Sequence, residues 1–408
     1  MNYDDLIYAP FNGIVPTEEF AAEVIAPPYD VLSSAEAKEK AKGKPLSFLH
    51  ISKAEIDFDG EVSPYEERVY AKAAENFKAL MDKGVLKKSE KPCFYVYQMV
   101  MGEHVQTGFV VAASVKAYNE GRIKRHELTR VAKENDRVRQ IRSVGAQTGP
   151  ALLINKNLPK VEALVLEVMW EREPLFSVIG DNDVRHTLWK VSDPKEIEFV
   201  ARSFAEQNEA YIADGHHRSA AAARLAAEDG TSDTARFLAV AFFDDEMQIM
   251  DYNRVVFDLN GRSEEQFLAE VKKAGFELKE DVRRKPNRKG QFMMYLNKKW
   301  YEMNYVGAPL GNDPVSLLDV SVLSNKVLDN ILGIADLRNS ERIDFIGGIR
   351  GAEEIERVVD MAKGRVGFMV YPTAVSELLA VADKKMLMPP KSTWFEPKLA
   401  DGVVSKAG

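Results

Sequence analysis

Tyr211-Ile212-Ala213-Asp214-Gly215-His216-His217-Arg218, followed at once by Ser219-Ala220-Ala221-Ala222-Ala223-Arg224-Leu225, is the stretch on which the reading of this chain turns. The apolar run predicts a strand over 210–213 that stops at Asp-Gly, and the alanines predict a helix directly after it. Gly215 at the junction tolerates left-handed backbone angles and lets a ligand come close. The first amides of the new helix have no acceptor within it and favour an anion. Arg218 adds a planar fork suited to phosphate. His216 and His217 add groups that donate, accept or shuttle protons near neutral pH. Histidines that merely cap a helix are the bland alternative. Four polar groups crowded at one turn favour a phosphate-handling site.

A second cluster runs from Arg122 to Arg142. It holds eight Lys or Arg against three acids, a local excess of five positive charges in a chain whose net charge is −8. With a helix predicted over 127–144, His126, Arg130, Lys133 and Arg137 are spaced by four, three and four and fall on one face. Such a face suits an anionic ligand such as a nucleotide tail. Ion pairs three and four residues apart, such as Lys133 with Asp136 or Arg130 with Glu134, are the competing explanation. Leu128, Val131, Val138 and Ile141 are expected on the apolar side.

Two proline-led segments complete the candidates. Pro27-Pro28 forces extended geometry on Tyr29-Asp30, which either presents a phenol and a carboxylate to a substrate or caps the next helix from Asp30. Pro389-Pro390-Lys391-Ser392-Thr393 reads as a C-terminal lid carrying Lys391 to the site, with Trp394 and Phe395 as anchors. A structured tail is the plainer alternative.

These landmarks resemble known families. The Asp214–Arg218 turn resembles the phosphate-binding signature of the ParB/sulfiredoxin-like superfamily, and its Asp-Gly-His-His-Arg form is similar to that of ADP-dependent free serine kinases. The chain from about Ala9 to about Leu399 resembles the family catalogued as domain of unknown function 1015. The landmarks are Ala26-Pro27-Pro28-Tyr29-Asp30-Val31, His126-Glu127-Leu128-Thr129 with Lys133 and Asp136-Arg137, Asp214–Arg218, and Met388–Phe395. The resemblance implies a ParB/sulfiredoxin-like mixed α/β core, in an α+β chain, that handles nucleotide phosphates.

Composition narrows the function. The 408 residues suffice for two or three domains. No run of about 18 apolar residues predicts a membrane span. The acidic start, Met1-Asn2-Tyr3-Asp4-Asp5, lacks a signal core and points to the cytoplasm. The negative net charge weighs against nucleic-acid binding, which draws on phosphate neutralisation. Cys93 is the single cysteine. It sits in an apolar run and reads as a buried small hydrophobe. Sulfiredoxin chemistry needs a cysteine at the turn, and none is there. No cysteine cluster, Walker A sequence or GxGxxG after a strand is present.

Helices are predicted over 66–83, 162–171, 197–206, 264–274, 315–332, 352–361 and 375–383, with a helix capped by Ser33 or Ser34 ending near Ala41. Hairpins are predicted at 94–101/106–113, 237–243/247–256 and 291–296/300–306. A domain boundary is expected near Leu259-Asn260-Gly261. It divides a phosphate-binding region, 1–260, from a C-terminal α+β domain, 261–408, whose tail returns to the site.

The chemistry expected is transfer of a phosphoryl group between ATP or ADP and a small hydroxyl substrate, with serine or phosphoserine as the best match. Such transfer needs groups that hold phosphates, a bridging metal and a proton acceptor. Asp214, Gly215, His216, His217, Arg218, Arg130, Lys133, Arg137 and Lys391 are the binding candidates. Glu127, His126 and Asp30 are candidate bases, with His216 and His217 as further catalytic candidates. Asp214 or Asp136 would hold Mg2+, which prefers carboxylate and water oxygens. A nucleotide-gated binding or regulatory protein is the alternative, and a phosphatase or phosphodiesterase a third. A homo-oligomer is compatible with the sequence.

Overall fold

The computed structural model describes residues 2–231 and 234–408. Around the decisive stretch the local rules hold. The strand Ala210–Asp214 ends at Gly215, whose φ of 88° is left-handed, and the helix His216–Asp229 begins at once. Every residue of the strand except Asp214 is buried, as expected of a strand in a sheet covered on both faces. Its neighbours in the sheet are Ile123–Lys124, parallel, and Ala151–Asn155, antiparallel. The pairing slips between Ile212 and Asp214, and such a bulge re-aims the side chain beyond it.

This strand belongs to a nine-stranded mixed sheet. Its order runs Ile123–Lys124, Ala210–Asp214, Ala151–Asn155, Arg236–Phe243, His104–Ser114, Phe94–Met101, Arg185–Val191 and Phe176–Ile179, with Tyr8–Ala9 paired to His104–Ser114. One large core fills its faces, from Tyr8 and Phe94 to Phe204, Phe237 and Phe243. Cys93 is buried.

A four-stranded sheet joins Leu86–Lys88, Gly13–Pro16, Ser405–Ala407 and Ala146–Gln147. It draws the C-terminal residues into the first compact unit, which comprises 1–247 and 397–408. The second unit, 248–396, carries a six-stranded antiparallel sheet in the order Phe276–Asp281, Lys299–Tyr305, Gln291–Leu296, Val366–Met369, Tyr252–Val256, Ile343–Gly347. The α+β class fits this mixture of helices and sheets. Among the described residues no helix is long and apolar enough to cross a membrane.

Several expected elements form as the sequence implies. Ser33 caps the helix Ser34–Ala41 through a capping box with Glu36. The helix Glu67–Asp82 buries Val69, Tyr70, Ala73, Phe77 and Leu80 on one side. Asn297 and Lys298 both take positive φ in the tight turn joining Gln291–Leu296 to Lys299–Tyr305, as a two-residue hairpin loop requires.

Four expectations fail. The basic helix starts at Val131, not Glu127, and ends at Gly145, which has a φ of 71°. Arg130 is extended at its N-cap because its amide is drawn to His217 of the neighbouring helix. His126, Arg130, Lys133 and Arg137 therefore do not share a helical face, and Leu128 and Val131 are exposed. The hairpin 237–243/247–256 does not exist. Both edges of Arg236–Phe243 are taken, by His104–Ser114 and Ala151–Asn155, so Tyr252–Val256 pairs in the second unit instead. The long helix over 315–332 shrinks to Asp319–Leu323 and a π-helical turn, Ser324–Asp329, because Asp313 ties the amides of Val315 and Ser316 into a turn. The units divide between Met247 and Gln248 rather than near 260, since Tyr252–Val256 is an interior strand of the second sheet.

Candidate phosphate site

The start of the helix His216–Asp229 carries no side-chain cap. A Cβ on Gly215 would crowd Ala151, meeting its Cα at 3.0 Å. Its amide donates to Asp214 Oδ1 at 2.8 Å, and Asp214 Oδ2 lies 3.4 Å from Lys398 Nζ. Burial opposes the Asp214 charge, but Lys398 and Arg218 outweigh it and hold the carboxyl well below the usual range.

Arg218 follows half a turn later. Its guanidinium donates to the Pro150 carbonyl, lies 3.3 Å from Asp30 Oδ2 and faces the Tyr29 ring at 6.0 Å. Burial disfavours its charge, and Asp30 and Asp214 more than restore it. Arg137 covers the same ring at 3.9 Å and is paired with Asp136 at 2.8 Å. Between two guanidiniums, burial still dominates at Tyr29 and pushes its phenol up to about 12.

The histidines form the other side. His126 and His216 are buried and meet edge to face, with centroids 4.5 Å apart. Both ring nitrogens of His126 and Nε2 of His216 lack a hydrogen-bond partner. The Ile212 backbone lies alongside His126 without reaching hydrogen-bond geometry. Glu127 Oε2 stands 3.7 Å from His216 Nδ1. Burial pushes His126 down to about 3, helped by His216, and His216 down to about 4, helped by His217 and Arg125. His217 Nε2 accepts the Arg130 amide at 3.0 Å. That places the proton of the neutral ring on Nδ1.

The structure thus brings together His126, Glu127, Asp30, Asp214, Gly215, His216, His217, Arg218 and Arg137 in the first unit, although Arg137 and Asp30 enter as partners of Tyr29 and Arg218. The hydrophobic contacts of Val138 and Ile141 with Ala221 and Leu225 hold the basic helix on the alanine-rich one.

Other expected members are placed elsewhere. Lys133 donates to Tyr65 Oη and lies over that ring. Arg139 pairs with Glu67, and Arg142 with Glu228 and Asp229. Much of the basic excess is therefore spent on tying helices together. Lys391 belongs to the second unit, where its ammonium lies 5.4 Å from the Tyr252 ring centroid. Asp136 does not fit a metal ligand, because Tyr70 and Arg137 already occupy both its oxygens. Asp214 offers one carboxylate, itself held by Lys398. Among the described residues no cluster of three or more His, Cys, Asp or Glu could hold a metal ion.

Sequence reading missed Lys398 and Asp401. Asp401 is buried beside Arg218 and Arg137. The signal available was Leu399-Ala400-Asp401-Gly402-Val403-Val404, a second Asp-Gly set in an apolar run.

Among solved structures the chain is similar to "Free serine kinase in complex with AMP", at 16% identity over 70% of this chain and 86% of that one, with a TM-score of 0.35. It is similar to a conserved hypothetical protein from Pyrococcus furiosus at 14% identity over 73% and 95%, with a TM-score of 0.37. It is also similar to SbnI with C-terminal truncation from Staphylococcus aureus, at 11% identity over 72% and 85%, with a TM-score of 0.39. At these TM-scores the likeness bears on neither substrate nor residue roles. No curated protein matches. The sequence model of one family matches residues 8–321, and on that match the chain belongs to the family described as protein of unknown function (DUF1015).

Proposed function

We propose that this chain is a nucleotide-dependent phosphotransferase acting on a small hydroxyl compound, with the transferred phosphate held at the start of the helix His216–Asp229. One observation carries the reading. An uncapped helix start coincides with Arg218, Lys398 and two buried histidines whose three ring nitrogens, Nδ1 and Nε2 of His126 and Nε2 of His216, are buried without hydrogen-bond partners. Buried polar atoms are nearly always paired, and an uncapped helix start favours an anion. A phosphate would supply acceptors for the helix amides, for a ring N–H of His216 and for Arg218 in one step. The Nδ1–H of His217 is a further donor.

ATP or ADP is the donor that fits this role, and serine the acceptor that the Asp-Gly-His-His-Arg resemblance singles out. The same motif supports the kinship with the ParB/sulfiredoxin-like superfamily. Magnesium would find a single carboxylate there, Asp214, already held by Lys398. Asp30 stands in an ion pair with Arg218, and Glu127 faces the neutral His216 ring at 3.7 Å, which suits them to orient those groups.

Two measurements test the proposal. Arg218→Ala should weaken ADP or ATP binding by about 1.5–3 kcal/mol, the range for a charge-assisted hydrogen bond, as read by calorimetry. Unchanged affinity in a folded variant removes the cradle. Phosphorus NMR should show transfer from ADP or ATP to serine, or back from phosphoserine. Tight nucleotide binding without transfer in either direction would leave a nucleotide-gated switch in place of the enzyme.

A further inference from the structure

Behind Arg218 lies a cavity of about 30 Å³, lined by Tyr29, Arg137, Thr148, Gly149, Arg218 and Asp401 among others. That is room for one water or one hydroxyl group. Asp401 reaches it from the C-terminal segment. Its backbone bridges Ala26 through two hydrogen bonds of 2.9 and 3.1 Å, which sets the segment beside Pro27-Pro28-Tyr29-Asp30. Gly402 turns the chain sharply, with a φ of 84°, against Phe48. Gly149 leaves the space that the carboxylate fills, since a Cβ there would stand 3.1 Å from Asp401 Oδ1 and 3.6 Å from Arg218 Cδ. Asp401 is 2% exposed, and its Oδ1 has no hydrogen-bond partner.

We infer that Asp401 is the proton acceptor of the phosphoryl transfer, with the attacking hydroxyl seated in the cavity between Arg137 and Arg218. The inference rests on the phosphotransferase reading above. In the step, the substrate oxygen forms a bond to the terminal phosphorus as its proton passes to Asp401 Oδ1. The bond from that phosphorus to the bridging oxygen breaks, and its electron pair leaves with the nucleotide. The proton then passes from Asp401 to water. Asp30 cannot fill this place as well, because its Oδ2 faces Arg218 and its side chain is open to solvent. Glu127 faces His216 instead.

The groups facing Asp401 are Arg218, Arg137, Asp30, Tyr29 and, more remotely, Tyr97. Burial pushes its carboxyl up to about 7, Asp30 adds to this, and the two arginines oppose it. A general base works best with a pKa near the working pH. A purely structural Asp401, holding the Tyr29 turn through its backbone, is the competing role.

The experiment compares the 408-residue chain with its Asp401→Asn and Asp30→Asn variants, using ADP or ATP, magnesium and serine, and following kcat from pH 5 to 9 alongside nucleotide Kd. The expected wild-type kcat rises through an acid limb near pH 7. Asp401→Asn should lose roughly 10²–10⁴ in kcat and lose that limb, with nucleotide Kd changed less than about threefold. Asp30→Asn should keep a limb, moved toward lower pH because the charge that helps raise Asp401 is gone. An active wild type with no acid limb near neutrality overturns the assignment without any variant, and so does a folded Asp401→Asn that retains both kcat and the limb. Both outcomes leave the phosphotransferase reading standing. A wild type that binds nucleotide but transfers nothing overturns the two together.

Discussion

His126 and His216 show how much a pair of buried rings can decide. Folding transfers both from water, where imidazole titrates near 6.5, to a site where burial pushes them down to about 3 and about 4. Their folded values are depressed, so the unfolded chain takes up protons first as the pH falls. The stability that belongs to the neutral pair is complete above about pH 6.5 and is lost as the pH drops through the folded values. Asp401 works in the opposite sense, because its raised value makes the folded state the better proton binder between about pH 4 and 7. Comparing a variant with its parent separates the two. His126→Leu should retain more of its pH 7 stability at pH 5 than the wild type does, measured as the urea midpoint at each pH. Equal losses in both proteins would show that His126 does not titrate on unfolding.

The junction from strand to helix makes a sharper demand on its glycine than the far end of the same helix. Gly215 and Gly230 both have positive φ, but only Gly215 would set a Cβ against backbone, at Ala151. Gly230 has nothing within 4 Å. Gly230→Ala should cost only the left-handed strain, about 1–2 kcal/mol. Gly215→Ala should cost more, because the strand Ala151–Asn155 must shift, and it should weaken nucleotide binding in parallel. Urea unfolding of the two variants checks this, and equal losses would mean the close approach to Ala151 is easily relieved. This junction was legible in the residues because its causes are local: a glycine, an apolar run before it and alanines after it. The start of the basic helix was not legible, since Arg130 leaves the helix for a bond to His217, 87 residues away.

The C-terminal segment decides whether the first unit is complete. Leu399, Ala400, Val403 and Val404 are buried, and Ser405–Ala407 supplies a strand to the four-stranded sheet. Each fully buried Leu or Val contributes roughly 1.5–3 kcal/mol, against a total stability of about 5–15 kcal/mol for a typical domain. Ending the chain at Glu396 should therefore abolish the cooperative melting of the first unit and expose it to proteolysis, while fragments of the second unit persist. A truncated chain with an unchanged melting temperature would show that the segment is dispensable.

Periodicity and turn chemistry by themselves determined the helix Glu67–Asp82, the hairpins at 94–114 and 291–305, and the strand-to-helix turn at 214–218. Each of these depends on neighbours within a turn or a strand, where hydrophobic spacing and glycine geometry act directly. Folding alone decided which charges ended up in the site. Arg139 and Arg142 look like Arg137 in the sequence, yet they pair with Glu67 and with Glu228 and Asp229, while Arg137 stacks on Tyr29. Asp401 and Lys398 reach Arg218 and Asp214 only because a distant strand, Ser405–Ala407, joins Gly13–Pro16 and Ala146–Gln147. A charge's environment depends on which remote segment covers it and removes water, and no spacing along the chain encodes that.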